Sequence, residues 1–406
     1  MLASTTTLLL ALMAQVFAHP AQNRCAAGGG GKAKAAKNGK AIYVLSNEKA
    51  NAVVAMAIGK DGKLGKGVST ATGGEGATGV DDKGQPAVPD ALFSQSALTV
   101  AGKNLFAVNS GSNTLTMFAI DPKDPTRLTM VGEPAAIPGE FPVTVAASAK
   151  NKLACVGTSG AKAGISCAAF SDEGLGEMDA LRPIDLGQTT PPKGPTNTVS
   201  HVFFSRDQKT LFSTVKGDPP TKKDGFIASF AVAAAGDQAA KVDSRITKAT
   251  PQGTAVLFGA ATIPGSRDLF VTDAAFGAVV LGMDEKTQTA STVRGKGEVD
   301  GQKATCWVAV SPATGTAFVT DVGSNRLVEM STRDATVLNK IELASGDPGL
   351  IDLQAAGRFV YALSPGNGTT LAAVTVVDAR TRKEVQHMQM DAKLAGKNSM
   401  GLALLK

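Results

Sequence analysis

Few side chains in this sequence suit acid–base chemistry, so the ones that do stand out. There are three histidines, His19, His201 and His387. His19 lies near the start of the chain and His387 in an expected outer strand, which leaves His201, in Val199-Ser200-His201-Val202-Phe203-Phe204, as the histidine able to act at a shared site. Lys216, in Lys216-Gly217-Asp218-Pro219-Pro220, and Lys303, in Gln302-Lys303-Ala304-Thr305-Cys306-Trp307, add positive charge. His201, Lys216 and Lys303 are the candidate catalytic set, because an imidazole and two ammonium groups suit proton transfer to a small carboxylate or an opening lactone. Gln95, Asp218, Asp273, Gln302, Trp307 and Asp321 are the candidate binding residues. Several of these have an architectural alternative. Asp273 and Asp321 each follow Phe-Val-Thr and equally suit Asx-type capping of a loop. Residues 216–220 suit a rigid turn, and Trp307 suits a core in which its indole N–H finds an acceptor.

Other chemistries lack their signatures. No Cys/His spacing fits zinc and no Asp-rich loop fits a calcium hand, so no metal or cofactor is expected. Gly73-Gly74-Glu75-Gly76 is not followed by the Lys-Ser/Thr of a phosphate cradle. No Gly-x-Ser-x-Gly elbow occurs.

The candidates are scattered along the chain, so a repeated architecture must bring them together. A short apolar strand recurs seven times, beginning near Ile42, Leu105, Leu153, Leu211, Leu269, Ala317 and Val360. Most copies follow a turn rich in Gly, Asn, Asp or Lys. A unit of roughly 40–50 residues with several short strands marks the blade of a propeller. Six preceding strands are also legible: 97–100, 143–146, 201–204, 256–258, 307–310 and 350–353. The seventh is expected from the C-terminus, Met400–Leu405, which would pair with the first blade and close the ring. The expectation is an all-β, seven-bladed β-propeller over residues 41–406. First strands would line a channel, and the candidates would share the mouth where those strands begin.

Residues 1–18 carry no charge and include the apolar run Leu8–Ala14, so a cleaved secretory signal is expected. Residues 19–40 read as a disordered Gly/Ala/Lys linker. Arg24, Lys32, Lys34, Lys37 and Lys40 sit there without any acid and supply +5 of the chain's net +6. With the excess charge on a tail lacking aromatics, nucleic acid is not an expected partner. No later stretch is long and apolar enough to span a membrane. The four cysteines, Cys25, Cys155, Cys167 and Cys306, allow three pairings. Cys155 and Cys167 flank a turn centred near Ala161, so a hairpin would set them opposite each other within disulfide range. The pairing of Cys25 and Cys306 stays open. Asn367-Gly368-Thr369 is a glycosylation sequon in a loop.

The segments Ser213–Pro219, Gln302–Trp307, Thr316–Asp321, Asp347–Asp352 and Tyr361–Gly368 add a resemblance. From about residue 41 onward the chain resembles the seven-bladed propeller family named for lactonases, in its secreted fungal branch described as 3-carboxymuconate cyclase-like. The resemblance implies the seven-bladed fold and action on a small carboxylate or lactone at the channel mouth. Muconate-lactonising members use a His, an Arg and a Glu there. In this chain Ser200, not His201, aligns with the His, Cys306 precedes Trp307 on the strand that would carry the Arg, and the Glu has no clear equivalent. Two readings follow. One is a secreted lactonase or cycloisomerase, the other a non-catalytic extracellular glycoprotein, monomeric, that binds a cell-wall or host ligand on the propeller.

Overall fold

The strands that carry the repeat are apolar on both sides. Asn104–Asn109, Leu153–Thr158, Thr210–Val215 and Phe359–Ser364 are buried along their whole length. A strand sandwiched between two neighbouring sheets loses the in–out alternation of a one-sided sheet. The outermost strands are more open: Val68–Ala71 is largely exposed and Lys383–Gln389 is half-buried along most of its length. A computed structural model describes residues 38–406. The expected signal segment, nearly all of the basic linker, His19 and Cys25 lie outside the described residues.

Seven antiparallel sheets form the molecule, and each follows the order inner, second, third, outer. The inner strands are Met400–Leu405 (blade 1), Leu98–Ala101 (2), Pro142–Ser148 (3), Val199–Phe204 (4), Leu257–Thr262 (5), Thr305–Val310 (6) and Leu353–Ala356 (7). They touch one another in that order and blade 7 returns to blade 1, so the ring is closed. Met400–Leu405 pairs antiparallel with Ala41–Leu45, as expected. All seven second strands fall where the sequence placed them.

One inner strand differs. The sequence points to Leu350–Leu353, whereas the strand spans Leu353–Ala356. The cause is Asp352, which takes a left-handed backbone (φ 56°) and turns its side chain inward. Its Oδ2 accepts the N–H groups of Ser96 (2.9 Å) and Leu402 (3.0 Å), and its Oδ1 accepts that of Leu353 (2.8 Å). One buried carboxylate thereby joins the last blade, the closing strand and the segment before blade 2.

The Cys155–Cys167 disulfide is present as expected, across a directly opposed pair of blade 3. Cys306 is buried and unbridged among the described residues. No helix among them is long and apolar enough to cross a membrane.

Replacing Asp352 by Ala strands three buried N–H groups, each costing about 1–3 kcal/mol. Urea unfolding should therefore show a loss of about 3 kcal/mol or more. Asp352→Asn should not rescue it, because its amide nitrogen would face a donor.

Candidate functional site

The face where inner strands begin, called upper here, was expected to be an open mouth. It is closed. Residues Ala91–Ser96 enter the channel from the loop before blade 2, and all of them are buried. Their partners come from across the ring. Ser94 Oγ donates to Val143 O of blade 3 (2.7 Å), and the Gln95 N–H donates to Ser200 O of blade 4 (2.8 Å). The Gln95 side chain bonds both backbone groups of Val308 in blade 6, each at 3.2 Å. Ser96 is held by Asp352 and accepts from Val145 N (2.9 Å). A segment bonded to four blades can only lie across their common axis.

Irregular pairing makes this possible. The inner strands of blades 4, 5 and 6 each shift register near their upper ends, at Val199/His201, Leu257/Ala260 and Thr305/Val308. A bulge takes backbone groups out of the ladder and leaves them for other partners. Gly259, in the blade 5 bulge, is obligatory, since a Cβ there would fall 2.2 Å from Gln95 Oε1.

The repeated Phe-Val-Thr-Asp motif serves the same architecture. The Thr272 hydroxyl accepts from Gly259 N (2.9 Å) and Thr320 from Trp307 N (3.3 Å), capping the bulges of blades 5 and 6. Asp273 accepts from Ala255, Val256 and Ala275, and Asp321 from Lys303 N and the Arg326 guanidinium. Gln302 accepts from Ala304 and Thr305 while donating to Ala274 O. Asp218 holds the hydroxyls of Thr196 and Thr221 within its turn. For Asp273, Asp321 and Asp218 the architectural alternative describes what the side chains touch, and Gln302, expected only as a binding residue, is likewise bonded to loop backbone. Trp307 is fully buried, its indole N–H donating to Ser94 O (2.9 Å).

The three catalytic candidates do not meet. Lys216 is sealed behind the plug, where its ammonium donates to Phe93 O (2.5 Å) and Ser200 Oγ (3.1 Å) and lies 4.4 Å from the Phe258 ring centroid. Burial pulls the Lys216 ammonium down and pushes the nearby Asp90 carboxyl up, while their mutual attraction opposes both. Burial likewise pushes the Cys306 thiol up. Asp90 carries no special sequence signal, and the plug makes it part of this cluster. Lys303 is exposed on the upper rim. His201 lies on the other side of the plug, in the lining of the lower channel.

The channel is open instead at the lower face, where inner strands end. Three adjoining cavities of about 420, 370 and 330 Å³ share Ser96 and Thr99 and form one basin. Each is within the range of small-molecule sites, roughly 300–1,000 Å³. The lining includes His201, Phe203, Thr262, Gln354, Arg206 and Lys406, and no carboxylate side chain. His201 Nδ1 accepts the Ala260 N–H at 3.3 Å, which leaves the proton on Nε2. Burial lowers its pKa to about 3, so the ring is neutral and acts as a hydrogen-bond donor. Phe203 stacks on it at 5.0 Å.

No family model matches this chain, and no curated protein matches it. Solved structures do. A putative 6-phosphogluconolactonase from Bacteroides uniformis aligns with 90% of this chain and 99% of its own at a TM-score of 0.60 and 11% identity. The periplasmic gluconolactonase PpgL of Pseudomonas aeruginosa aligns with 90% of this chain and 99% of its own at 0.59 and 15% identity. The chain shares the propeller architecture of lactonases. At such identities the likeness concerns the fold and leaves the chemistry to the residues.

His201 titrates between its ordinary 6.5 when unfolded and about 3 when folded, so the unfolded chain binds the extra proton in that window. Stability should be full above pH 6.5 and fall as the pH drops toward 3, by about 5 kcal/mol at full titration. His201→Gln should flatten that limb of the pH–stability curve relative to the unchanged protein.

Proposed function

We propose that the protein binds a small carboxylate or lactone in the lower basin and captures this ligand rather than transforming it. The observation that carries this reading is the lining: neutral His201 with the basic residues Arg206 and Lys406, and no carboxylate side chain to repel an anion. A lactone carbonyl or a carboxylate accepts from these donors, and Phe203 supplies an apolar wall. The architecture shared with lactonases and the resemblance to 3-carboxymuconate cyclase-like proteins point to the same ligand class. Capture is preferred to turnover because His201 already uses Nδ1 as an acceptor, and Lys216 and Lys303 lie away from the basin.

Export is part of the proposal. The Cys155–Cys167 disulfide suits an oxidising compartment, which residues 1–18 would provide access to as a cleaved signal. Asn367 is exposed in the loop after Phe359–Ser364, its Oδ1 holding the Thr369 and Thr370 N–H groups, and it is the proposed glycan site.

Calorimetry against a panel of aldonolactones, their ring-opened acids and 3-carboxymuconate should detect binding. Arg206→Ala should weaken the carboxylates about tenfold, in line with losing a charge-assisted hydrogen bond. Absence of binding across the panel would sink the reading. Lactone turnover that disappears in His201→Gln would replace capture with catalysis.

A further inference from the structure

The turns between first and second strands all lie on the lower face and encircle the basin. Their charges are mostly basic. Three of these cations are neutralised locally: Lys103 by Asp172, Arg267 by Glu285 and Arg358 by Asp378. Lys150, Lys152, Arg206 and Lys209 are different. All four are exposed, and none has a carboxylate within ion-pair distance among the described residues. The nearest acid in sequence, Asp207, turns its carboxylate toward the Ser205 hydroxyl (2.7 Å) and the Lys209 N–H (3.1 Å). It offsets one charge of the four, while Asp172 and Glu173 share a cavity with Lys152, and Glu285 one with Arg206, without reaching ion-pair distance.

These cations form one fixed patch. The turn at 148–152 of blade 3 is bonded to the turn at 205–210 of blade 4. Asn151 Nδ2 donates to Gln208 O (2.8 Å), Lys150 Nζ to Asp207 O (3.1 Å), and Ser148 Oγ to Gln208 Oε1. Lys152 Nζ donates to Asp237 O (2.7 Å). Each ammonium has three donors, so two remain for a ligand. Thr99, Thr262 and Gln208 line the adjoining cavity and present further polar groups.

We propose that Lys150, Lys152, Arg206 and Lys209 dock an acidic polysaccharide, whose carboxylates or sulfates meet the cations and whose hydroxyls meet the neighbouring Thr and Gln side chains. A bilayer fits less well. The exposed large apolar residues are Val68, Val88, Met130, Leu338 and Leu371, and none lies in these turns to insert beside the charges. The turns also carry no aromatic side chain on which nucleic-acid bases would stack. The site shares Arg206 with the basin, but Lys150, Lys152 and Lys209 lie outside the basin lining, so it stands whether or not a small ligand is captured there.

The test uses the full chain, basic tail included, with heparin and polygalacturonate as polyanions and dextran as the neutral control. Lys150→Gln/Lys209→Gln should bind both polyanions at least about tenfold more weakly at roughly 100 mM salt, with a shallower dependence of log K on log salt. Lys222→Gln/Lys397→Gln, which removes two exposed charges from the upper face, should bind within about twofold of the unchanged protein. Far-ultraviolet circular dichroism confirms that each variant is folded. Equal losses in the two variants, or no loss in either, would assign binding to net charge or to the tail and overturn the proposal. Stronger binding to anionic vesicles or duplex DNA than to the polysaccharides, lost with Lys150 and Lys209, would overturn the choice of partner.

Discussion

The arrangement of the whole channel rests on one buried carboxylate. Asp352 accepts backbone N–H groups from the segment that fills the upper channel, from the strand that closes the ring and from its own blade. Burial pushes its pKa up to about 7 while those three N–H groups pull it down. A side chain that connects three distant stretches fixes their relative positions more firmly than local propensity does. The floor of the basin therefore inherits its geometry from Asp352, although no ligand would touch that residue.

The plug explains why polar residues near the upper face do not make an open site there. Peptide groups inside a channel need partners, and here Ser200 O, Val145 N and the side chains of Asp352, Trp307 and Lys216 supply them. Ser200 O and both backbone groups of Val308 take up Gln95, and Trp307 takes up Ser94 O. Behind this wall a charge survives only where it is compensated, as the Lys216 ammonium is by Phe93 O, Ser200 Oγ, the Phe258 ring and the nearby Asp90. The other end of the channel keeps neutral and cationic groups and is free to receive a ligand.

Much of the fold was legible because it rests on local pattern. Second strands such as Leu105–Val108 and Phe318–Thr320 are apolar, short and bounded by turn residues, and Met400–Leu405 is an unpaired apolar run in a ring that needs one more strand. The disulfide followed from hairpin register. The plug was not legible. Ala91–Ser96 has no strand period, and its partners, Ser200 O and the backbone of Val308 with the side chains of Trp307, Lys216 and Asp352, come from distant blades that no local pattern links to it. Leu350–Leu353 failed as a strand because an apolar run cannot reveal that Asp352 leaves the extended region. Residues placed on one face by strand order, such as Asp273, Gln302 and Asp321, do lie at that end, but their hydrogen bonds are spent on neighbouring loops.

Pairing Ala41–Leu45 with Met400–Leu405 also governs how the polypeptide must be assembled. During synthesis the earliest sheet emerges with its inner edge bare, and its partner leaves the ribosome only after every intervening blade. Until then the nascent protein carries an unsatisfied edge of the kind that recruits foreign strands. The seat of Asp352 is incomplete over the same interval, since Leu402 has yet to arrive. Such non-local closure delays completion of the first sheet until the strand Met400–Leu405 has been made.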